Sequence, residues 1–333
     1  MTITTKQFQL LTDINLVWDF MVETYDWKND CGRPAPFFEY AITSSWMDTS
    51  YSFLDRLWFD GDKVVAFVYY ENPVTDIYFN VRKGYEFLAD ELVDYAISNM
   101  PHFGGEQQFV LFDGQQFIKD AAAKRGFKQV YEWDELVFDF GFNTNPKNGE
   151  VKALSEASLD STYFKNELNY ELPEGYHFVE PKNIDIVKCS KLCWYGFGHG
   201  ERGDFADWDK YDDSLDWTPA KSHKSGWGRF VCLSPHDTSQ YNIVIADKDE
   251  EYVCFSGMWW VPQNQLAYME PLCTHPDHRK KGLASAALSL HYKRMKALGA
   301  THMTGGGDPF YQKLGYGKGY HCTIWRKDKE FLE

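Results

Sequence analysis

The sequence lacks long apolar runs, a Walker-type phosphate motif and paired cysteine motifs. Its longest apolar stretch, residues 64–70, is far too short to cross a bilayer, and the first residues show no basic segment followed by an apolar one. GxxxxGK[ST] is absent, which argues against a Walker phosphate loop. GxGxxG occurs as GHGERG at 198–203, but it follows a predicted helix and not a strand, and the basic turn at 279–282 does not carry it, which argues against a Rossmann dinucleotide site. The seven cysteines include no CxxC pair, and Cys189 and Cys193 have no nearby His or Cys to complete a zinc set. We therefore expect a soluble cytoplasmic protein without a metal.

Basic residues are scarce, and the formal net charge is −15. Such a surface repels nucleic acid and anionic membranes and attracts cations, so we expect neither nucleic acid nor a membrane as partner. The imbalance is uneven, because the first 150 residues hold 12 Lys and Arg against 24 Asp and Glu, and the rest hold 22 against 25. The near-neutral second half is the better place for a polyanionic ligand.

The order of predicted elements occurs twice along the chain: strand, helices, hairpin, strand, long helix, strand, helix, strands. The two copies end alike, with AKRGF at 123–127 and QKLGY at 312–316. This pattern indicates an internal duplication with a period of roughly 170 residues, although two unrelated α/β domains would also fit. We predict one domain over residues 1–140, a turn-rich linker over 141–174 and a second domain over 175–333.

The motif that indicates a function most specifically is the segment THPDHRKKGLASAALSL, which begins at Thr274. A predicted strand ends there, and Arg279, Lys280, Lys281 and Gly282 then lead directly into a predicted helix. Such a turn directs backbone N–H groups and the positive end of the helix dipole into one concavity, and glycine lets a ligand approach closely. The pattern favours a pyrophosphate site, and the alternative is a basic turn exposed to water.

These residues resemble the GNAT superfamily of N-acetyltransferases. Arg279, Gly282 and Ala284 match its cofactor signature Arg/Gln-x-x-Gly-x-Gly/Ala, and FYQKLGY at 310–316 matches its aromatic-Tyr-x-x-Leu-Gly-Phe/Tyr segment. The resemblance implies an α/β (α+β) fold of two tandem GNAT-like domains, each a mixed, mostly antiparallel twisted sheet with a splayed parallel strand pair and flanking helices. It implies acetyl-CoA as co-substrate.

The resemblance also implies a cofactor site between predicted strands 266–274 and 302–304, where the pantetheine arm would lie. One backbone N–H, from Leu272 or Cys273, would polarise the thioester carbonyl. The sequence departs from the family at Asp308-Pro309, where Asn is frequent. The expected cofactor-binding residues are Leu272, Cys273, Thr274, Arg279, Lys280, Lys281, Gly282, Leu283, Ala284, Ser285 and Tyr311.

Transfer of an acetyl group to an amine requires a base for the amine proton and an acid for the departing thiolate. Tyr311 matches the family position that often supplies the acid, and the alternative is a packed helix tyrosine. Strand alternation would place Glu270 on the same face as Leu272 and Thr274, so we predict Glu270 as the base. The alternative for Glu270 is a structural carboxylate. Cys273 has no motif that places a His beside it, which disfavours a covalent mechanism.

Residues 194–227 alternate carboxylates with tryptophans, and both suit a cationic ligand. We predict that Asp207, Trp208 and Asp209 bind the acceptor, whereas the alternative is a solvated loop. In the first domain the corresponding turn keeps Arg82, Lys83 and Gly84 but loses the signature spacing, and acidic residues follow. We therefore expect a degenerate first domain.

The leading hypothesis is direct acetyl transfer to a primary amine on a small cationic molecule. Two alternatives are an acyltransferase that uses a longer acyl-CoA or modifies a protein amine, and a non-catalytic acyl-CoA sensor or scaffold. The sequence indicates no oligomeric state.

Overall fold

The computed structural model describes residues 2–28, 32–44, 47–102, 107–141, 167–201, 203–210, 234–236, 238–307 and 309–327, with the backbone alone for 208–210. Contacts divide the chain into two units. One comprises Met1–Asp134 with Tyr320–Glu333, and the other comprises Glu135–Gly319.

Among its described residues, the first unit has a six-stranded sheet in the order β1-β2-β3-β4-β5-β12 and four α-helices. The continuous apolar run inside β3 is buried at every position, and α1 and α2 both pack against this strand. The elements are β1 (Ile3–Gln7), α1 (Leu10–Thr24), α2 (Ala35–Thr43), β2 (Arg56–Asp60), β3 (Lys63–Glu71), β4 (Asp76–Val81), α3 (Ala89–Asn99), β5 (Gln108–Phe112), α4 (Gln116–Lys124) and β12 (Gly317–Lys327).

The second unit has a sheet in the order β6-β11-β10-β9-β8-β7. Helices α5 and α6 both pack against β9 and β10, and α6 ends at Gly299, which adopts a left-handed conformation as a C-cap. The elements are β6 (Phe127–Asp139, of which residues 135–139 belong to this unit), β7 (Tyr176–Val179), α5 (Ile186–Gly196), β8 (Ile243–Asp247), β9 (Tyr252–Val261), β10 (Leu266–Thr274), α6 (Leu283–Leu298), β11 (His302–Thr304) and α7 (Pro309–Lys313).

The two sheets have the same strand order, which is the arrangement that a duplication predicts. The first five strands of each copy follow one another in the same sequence, and the last position is exchanged. Strand β12 pairs with β5 in the first unit, and residues 137–139 of β6 pair with β11 in the second. The predicted mixed α/β fold with mostly antiparallel strands is confirmed.

Each unit contains one parallel strand pair that separates after two residues. Strand β10 pairs with β11 only at Leu266–His302 and Ala267–Met303, and β4 pairs with β5 only at Asp76–Gln108 and Ile77–Phe109. The expected splayed pair is therefore present in both units. Beyond the split, one edge of each strand is available to something other than the neighbouring strand.

A β-bulge in β10 lies beside the split of the second unit. The pairing of β10 with β9 shifts register between Met269 and Leu272. Gly257 on β9 makes the bulge possible, because a Cβ at this position would overlap the carbonyl oxygen of Glu270 and lie 2.9 Å from Cδ of Pro271. An extra residue in one strand reverses the alternation of faces beyond it.

Candidate active site

A cavity of about 560 Å³ lies in the second unit at the end of β10. It runs beside the strands where they separate and reaches the turn that starts α6. Its lining residues are Gly196, Phe197, Leu272, Cys273, Thr274, His278, Arg279, Lys280, Gly282, Leu283, Ala284, Ser285, Phe310 and Tyr311.

The turn before α6 has the backbone geometry of an anion site. Lys280 and Gly282 both have positive φ, at 61° and 85°, and the first helical bond runs from the Ala286 N–H to the Gly282 carbonyl at 2.9 Å. The first N–H groups of a helix have no partner within the helix. A lysine held in the left-handed region is uncommon and is typical of functional sites.

Gly282 leaves the concavity of this turn open. The nearest atom to a Cβ built at Gly282 would be Cγ of Pro173, 4.0 Å away. The packing of the protein therefore does not require glycine here. Its left-handed backbone does, and the missing side chain also leaves space for a ligand next to the helix N-terminus.

The three cations of the turn have different surroundings. The Arg279 guanidinium donates to two backbone carbonyls, from Nε to Thr274 at 3.2 Å and from Nη2 to Gly196 at 2.8 Å. Lys280 and Lys281 are exposed, and neither forms an ion pair with the part of the chain that the structure describes. The two lysines are thus the available cations for an anionic ligand.

Tyr311 forms part of the cavity wall and is 8% exposed. Two glycines make room for its ring, because a Cβ at Gly305 would lie 2.8 Å from Cδ1 and a Cβ at Gly306 would lie 3.2 Å from Cε2. Its ring packs edge-on against Tyr316, with 5.2 Å between centroids. The phenol is therefore held in place by packing and faces the cavity.

The strand edge between Met269 and Thr274 faces the split. The last link across it joins the Met269 N–H to Oγ1 of Thr304 on β11 at 2.8 Å. Beyond this bond, Leu272, Cys273 and Thr274 pair with β9 on one side and line the cavity on the other. This arrangement can accept an extended ligand as an added strand.

Residues 239–318 match the family model described as an acetyltransferase (GNAT) domain. This chain carries a GNAT acetyltransferase domain. The match covers the bulged strand, the phosphate-type turn, α6 and the segment of Tyr311.

Two solved structures share the fold of this chain over nearly its whole length. A GCN5-related N-acetyltransferase from Sphaerobacter thermophilus is 12% identical, with 98% of this chain and 96% of that chain covered and a TM-score of 0.52. A GNAT-family acetyltransferase from Colwellia psychrerythraea is 9% identical, with 98% and 100% covered and a TM-score of 0.52. No curated protein matches the sequence.

The structure brings most of the predicted cofactor residues of the GNAT domain together. Of those eleven residues, every one except Lys281 lines the cavity. Sequence reasoning missed four lining residues: Gly196, Phe197, His278 and Phe310. His278 was detectable from its place beside the turn, whereas Gly196 and Phe197 lie more than 70 residues away in sequence.

Glu270 is half-buried and is not among the residues that line the GNAT cavity. The bulge shifts the register between Met269 and Leu272, so strand alternation alone does not decide whether Glu270 shares the face of Leu272 and Thr274. Cys273 lines the cavity, and its thiol lies 3.9 Å from that of Cys193. Burial raises the pKa of the Cys193 thiol well above its ordinary value.

The predicted acceptor residues are only partly within the described chain. Asp207 is half-buried in a short 3₁₀ segment, Phe205–Lys210, whereas the side chains of Trp208 and Asp209, together with residues 211–233, lie outside the described residues. Trp194 belongs to the core: it is fully buried, and its indole N–H donates to the Gly203 carbonyl at 3.1 Å.

The corresponding turn of the first unit is closed by its own carboxylate. The Gly84 N–H donates to both carboxylate oxygens of Glu86, each at 2.9 Å, and Arg82 pairs with Glu23 at 2.7 Å. A carboxylate therefore lies where the GNAT domain leaves its turn open. A phosphate at this position would be repelled by the negative charge.

A side chain also bridges the strand split of the first unit. Gln115 donates from Nε2 to the Phe79 carbonyl of β4 at 2.5 Å, and its Oε1 accepts from the Phe112 N–H of β5 at 3.1 Å. The amide thus satisfies backbone groups that an added ligand strand would need. Both features agree with a degenerate first domain.

The described residues contain neither a candidate membrane-spanning helix nor a candidate metal cluster. No helix there has the length and apolar character needed to span a membrane. No group of three or more His, Cys, Asp or Glu side chains in this part of the chain is arranged to hold a metal ion.

Proposed function

We propose that the GNAT domain of this chain is an acetyl-CoA-dependent N-acetyltransferase that acts on a primary amine of a small cationic molecule. The observation that carries the proposal is the continuous cavity from the split of β10 and β11 to the open turn before α6. The proposed division of the sequence remains residues 1–140, 141–174 and 175–333, with strand β12 of the last range completing the sheet of the first unit.

The residues present fit acetyl-CoA as co-substrate. Lys280, Lys281 and the first N–H groups of α6 offer positive charge and donors to the pyrophosphate. The free edge of β10 at Leu272–Thr274 offers backbone groups to the pantetheine amides. Because Gly282 has no side chain, the phosphates can approach the backbone of the turn closely.

The reaction needs stabilisation of the oxyanion and two proton transfers. In the proposed mechanism, a backbone N–H of Leu272 or Cys273 donates to the thioester oxygen as negative charge develops there. The amine attacks the acyl carbon, the C–S bond breaks, and the Tyr311 hydroxyl protonates the departing thiolate. We propose Glu270 as the base, and it would act through a water molecule because it does not line the cavity.

The proposed acceptor is a cation that approaches from the side of residues 201–210. Glu201, Asp204 and Asp207 supply negative charge in this segment. A group of like charges raises the local concentration of a cation and its association rate. We therefore expect the apparent acceptor affinity to fall as salt rises from low to physiological strength, measured as KM at several salt concentrations.

The cofactor site is tested by Gly282→Val, with Gly84→Val as the matched control. Both glycines have positive φ, 85° and 92°, and neither has a protein atom closer than 4.0 Å to a built Cβ. Both variants thus introduce similar backbone strain. We expect only Gly282→Val to abolish acetyl-CoA binding in calorimetry, and equal affinity in a folded Gly282→Val protein would refute the site.

The catalytic role of Tyr311 is tested by Tyr311→Phe, with Tyr316→Phe as control. Loss of a proton donor used in the transition state lowers kcat about 10²-fold or more and changes the KM for acetyl-CoA little. Thiol release from acetyl-CoA with a panel of polyamines, aminoglycosides and peptides measures both. Acetyl-CoA binding without thiol release for any amine would favour the sensor alternative.

A further inference from the structure

The C-terminal end of α5 is joined to the cofactor strand by one arginine. Arg279 lies in the turn before α6, and its guanidinium bridges the Gly196 carbonyl at 2.8 Å and the Thr274 carbonyl at 3.2 Å. Gly196 is the last residue of α5, and Thr274 is the last residue of β10. One side chain thus fixes the end of a helix to the end of the strand that lines the cavity.

A second contact joins the same two elements. A Cβ built at Gly196 would lie 2.9 Å from both Cβ and Sγ of Cys273, so α5 packs on β10 at a distance that only glycine permits. The next residue, Phe197, lines the cavity, and its N–H donates to the Cys193 carbonyl at 2.9 Å. The position of the Phe197 wall therefore depends on how Gly196 is held.

The bridge also explains why an arginine suits this position. The last carbonyls of a helix have no partner within it, and a cation there interacts favourably with the helix dipole. The planar guanidinium donates to two carbonyls at once in a fixed geometry, whereas a lysine ammonium has no such fork. Two of the donor nitrogens of Arg279 are directed at protein carbonyls, while Lys280 and Lys281 keep their charges free for an anion.

We propose that Arg279 is a positioning residue that holds the Gly196–Phe197 wall against the thioester strand. This inference rests on the proposed function, because it assigns the wall to the acceptor side of the reacting centre. The wall orients the amine toward the acyl carbon, and the loss of Arg279 leaves the phosphate site in place. Arg279 is then required for turnover of the acceptor and is nearly dispensable for cofactor affinity.

The test compares Arg279→Gln and Arg279→Lys with Lys280→Gln in the full chain, because Lys280 lines the cavity. We expect Arg279→Gln to change the Kd for acetyl-CoA less than about threefold and to lower kcat/KM for the acceptor about tenfold or more, as for the loss of a charged hydrogen bond. Lys280→Gln should weaken acetyl-CoA binding and change the acceptor kcat/KM at saturating acetyl-CoA little. Arg279→Lys should recover part of the acceptor kcat/KM.

Gly196→Ala disturbs the same contact without changing a charge. We expect it to lower acceptor kcat/KM with acetyl-CoA affinity retained, and we expect the double variant with Arg279→Gln to be less than additive, because both changes act on one contact. A weakening of acetyl-CoA binding by Arg279→Gln as large as that by Lys280→Gln would overturn the proposal. Unchanged acceptor kcat/KM in Arg279→Gln would also overturn it.

A readout without turnover separates this inference from the proposed function. Cys273 is 5% exposed beneath Gly196, so release of α5 should speed its alkylation by iodoacetamide, mapped by mass spectrometry. Buried Cys322 of the first unit is the control thiol. If no amine supports thiol release, the proposed function fails, but the alkylation rate of Cys273 still tests the role of Arg279. Faster labelling of Cys273 in Arg279→Gln than in the wild type supports the bridge, and an unchanged rate refutes it.

Discussion

His291 should make the second unit sensitive to acid. The imidazole lies on α6 with no exposed surface, and its Nε2 is 3.1 Å from Oγ and 3.3 Å from the carbonyl oxygen of Ser256 on β9. Its Nδ1 has no hydrogen-bond partner in the described part of the chain. Burial removes the imidazolium from water and lowers the pKa of His291 to about 3.

The sign and size of the effect follow from this depressed pKa. The unfolded chain takes up a proton near pH 6.5, whereas the folded chain resists it down to about pH 3. Stability is therefore complete above pH 6.5 and falls as the pH decreases between these values. Each pH unit in this window costs about 1.4 kcal/mol, so the loss from pH 7.5 is about 2 kcal/mol at pH 5 and about 3 kcal/mol at pH 4.

His291→Gln tests this prediction, because the glutamine amide can still bond Ser256 but cannot titrate. Urea unfolding at pH 7.5, 5 and 4 gives the free energies, and hydrogen exchange in α6 shows which unit opens. We expect the free energy of unfolding of His291→Gln, relative to that of the wild type, to rise by about 2 kcal/mol between pH 7.5 and pH 5 and by about 3 kcal/mol between pH 7.5 and pH 4. His177→Gln, at a half-exposed site, controls for the loss of a histidine whose charge water can solvate. A constant difference between the wild type and His291→Gln across this pH range would refute the reasoning.

Three further changes test packing and buried polar groups. Tyr316→Phe should raise the free energy of unfolding by about 1 kcal/mol in thermal unfolding, because the buried Tyr316 hydroxyl has no partner among the described residues; a clear loss would indicate a hidden one. Burial raises the pKa of Asp55 well above its ordinary value. Asp55→Asn should therefore stabilise the protein in urea unfolding by about 1.4 kcal/mol more for each pH unit above about 4. A stabilisation that does not depend on pH would contradict this expectation. Gly257→Ala should cost about 2 kcal/mol or more in the same assay, because its methyl group would overlap the Glu270 carbonyl oxygen; a tolerated alanine would mean that the bulge can relax.

Local features of the site were predictable because they depend on neighbouring residues. The turn at 279–284 is determined by the chain itself: a strand end, three cations, a glycine and a helix start lie within ten residues, and the structure places them as expected. The duplication was also predictable, since strand and helix periods repeat along the chain and the two sheets have the same order.

Features that depend on distant residues could not be predicted in this way. The side of the strand that Glu270 faces depends on a bulge, and Gly257 on the neighbouring strand permits that bulge. The Gln115 amide bridges two strands whose separation becomes apparent only once both are placed.

The amino-acid sequence by itself thus determined that this chain has a phosphate-type turn, a GNAT signature and two copies of one fold. Only the tertiary structure decided which unit keeps its split open and which residues complete the wall. The physical reason is that helix starts, turns and strand periods are set by contacts a few residues apart. The directions of Arg279, Gln115 and Glu86 are set by whichever backbone groups folding leaves without a partner.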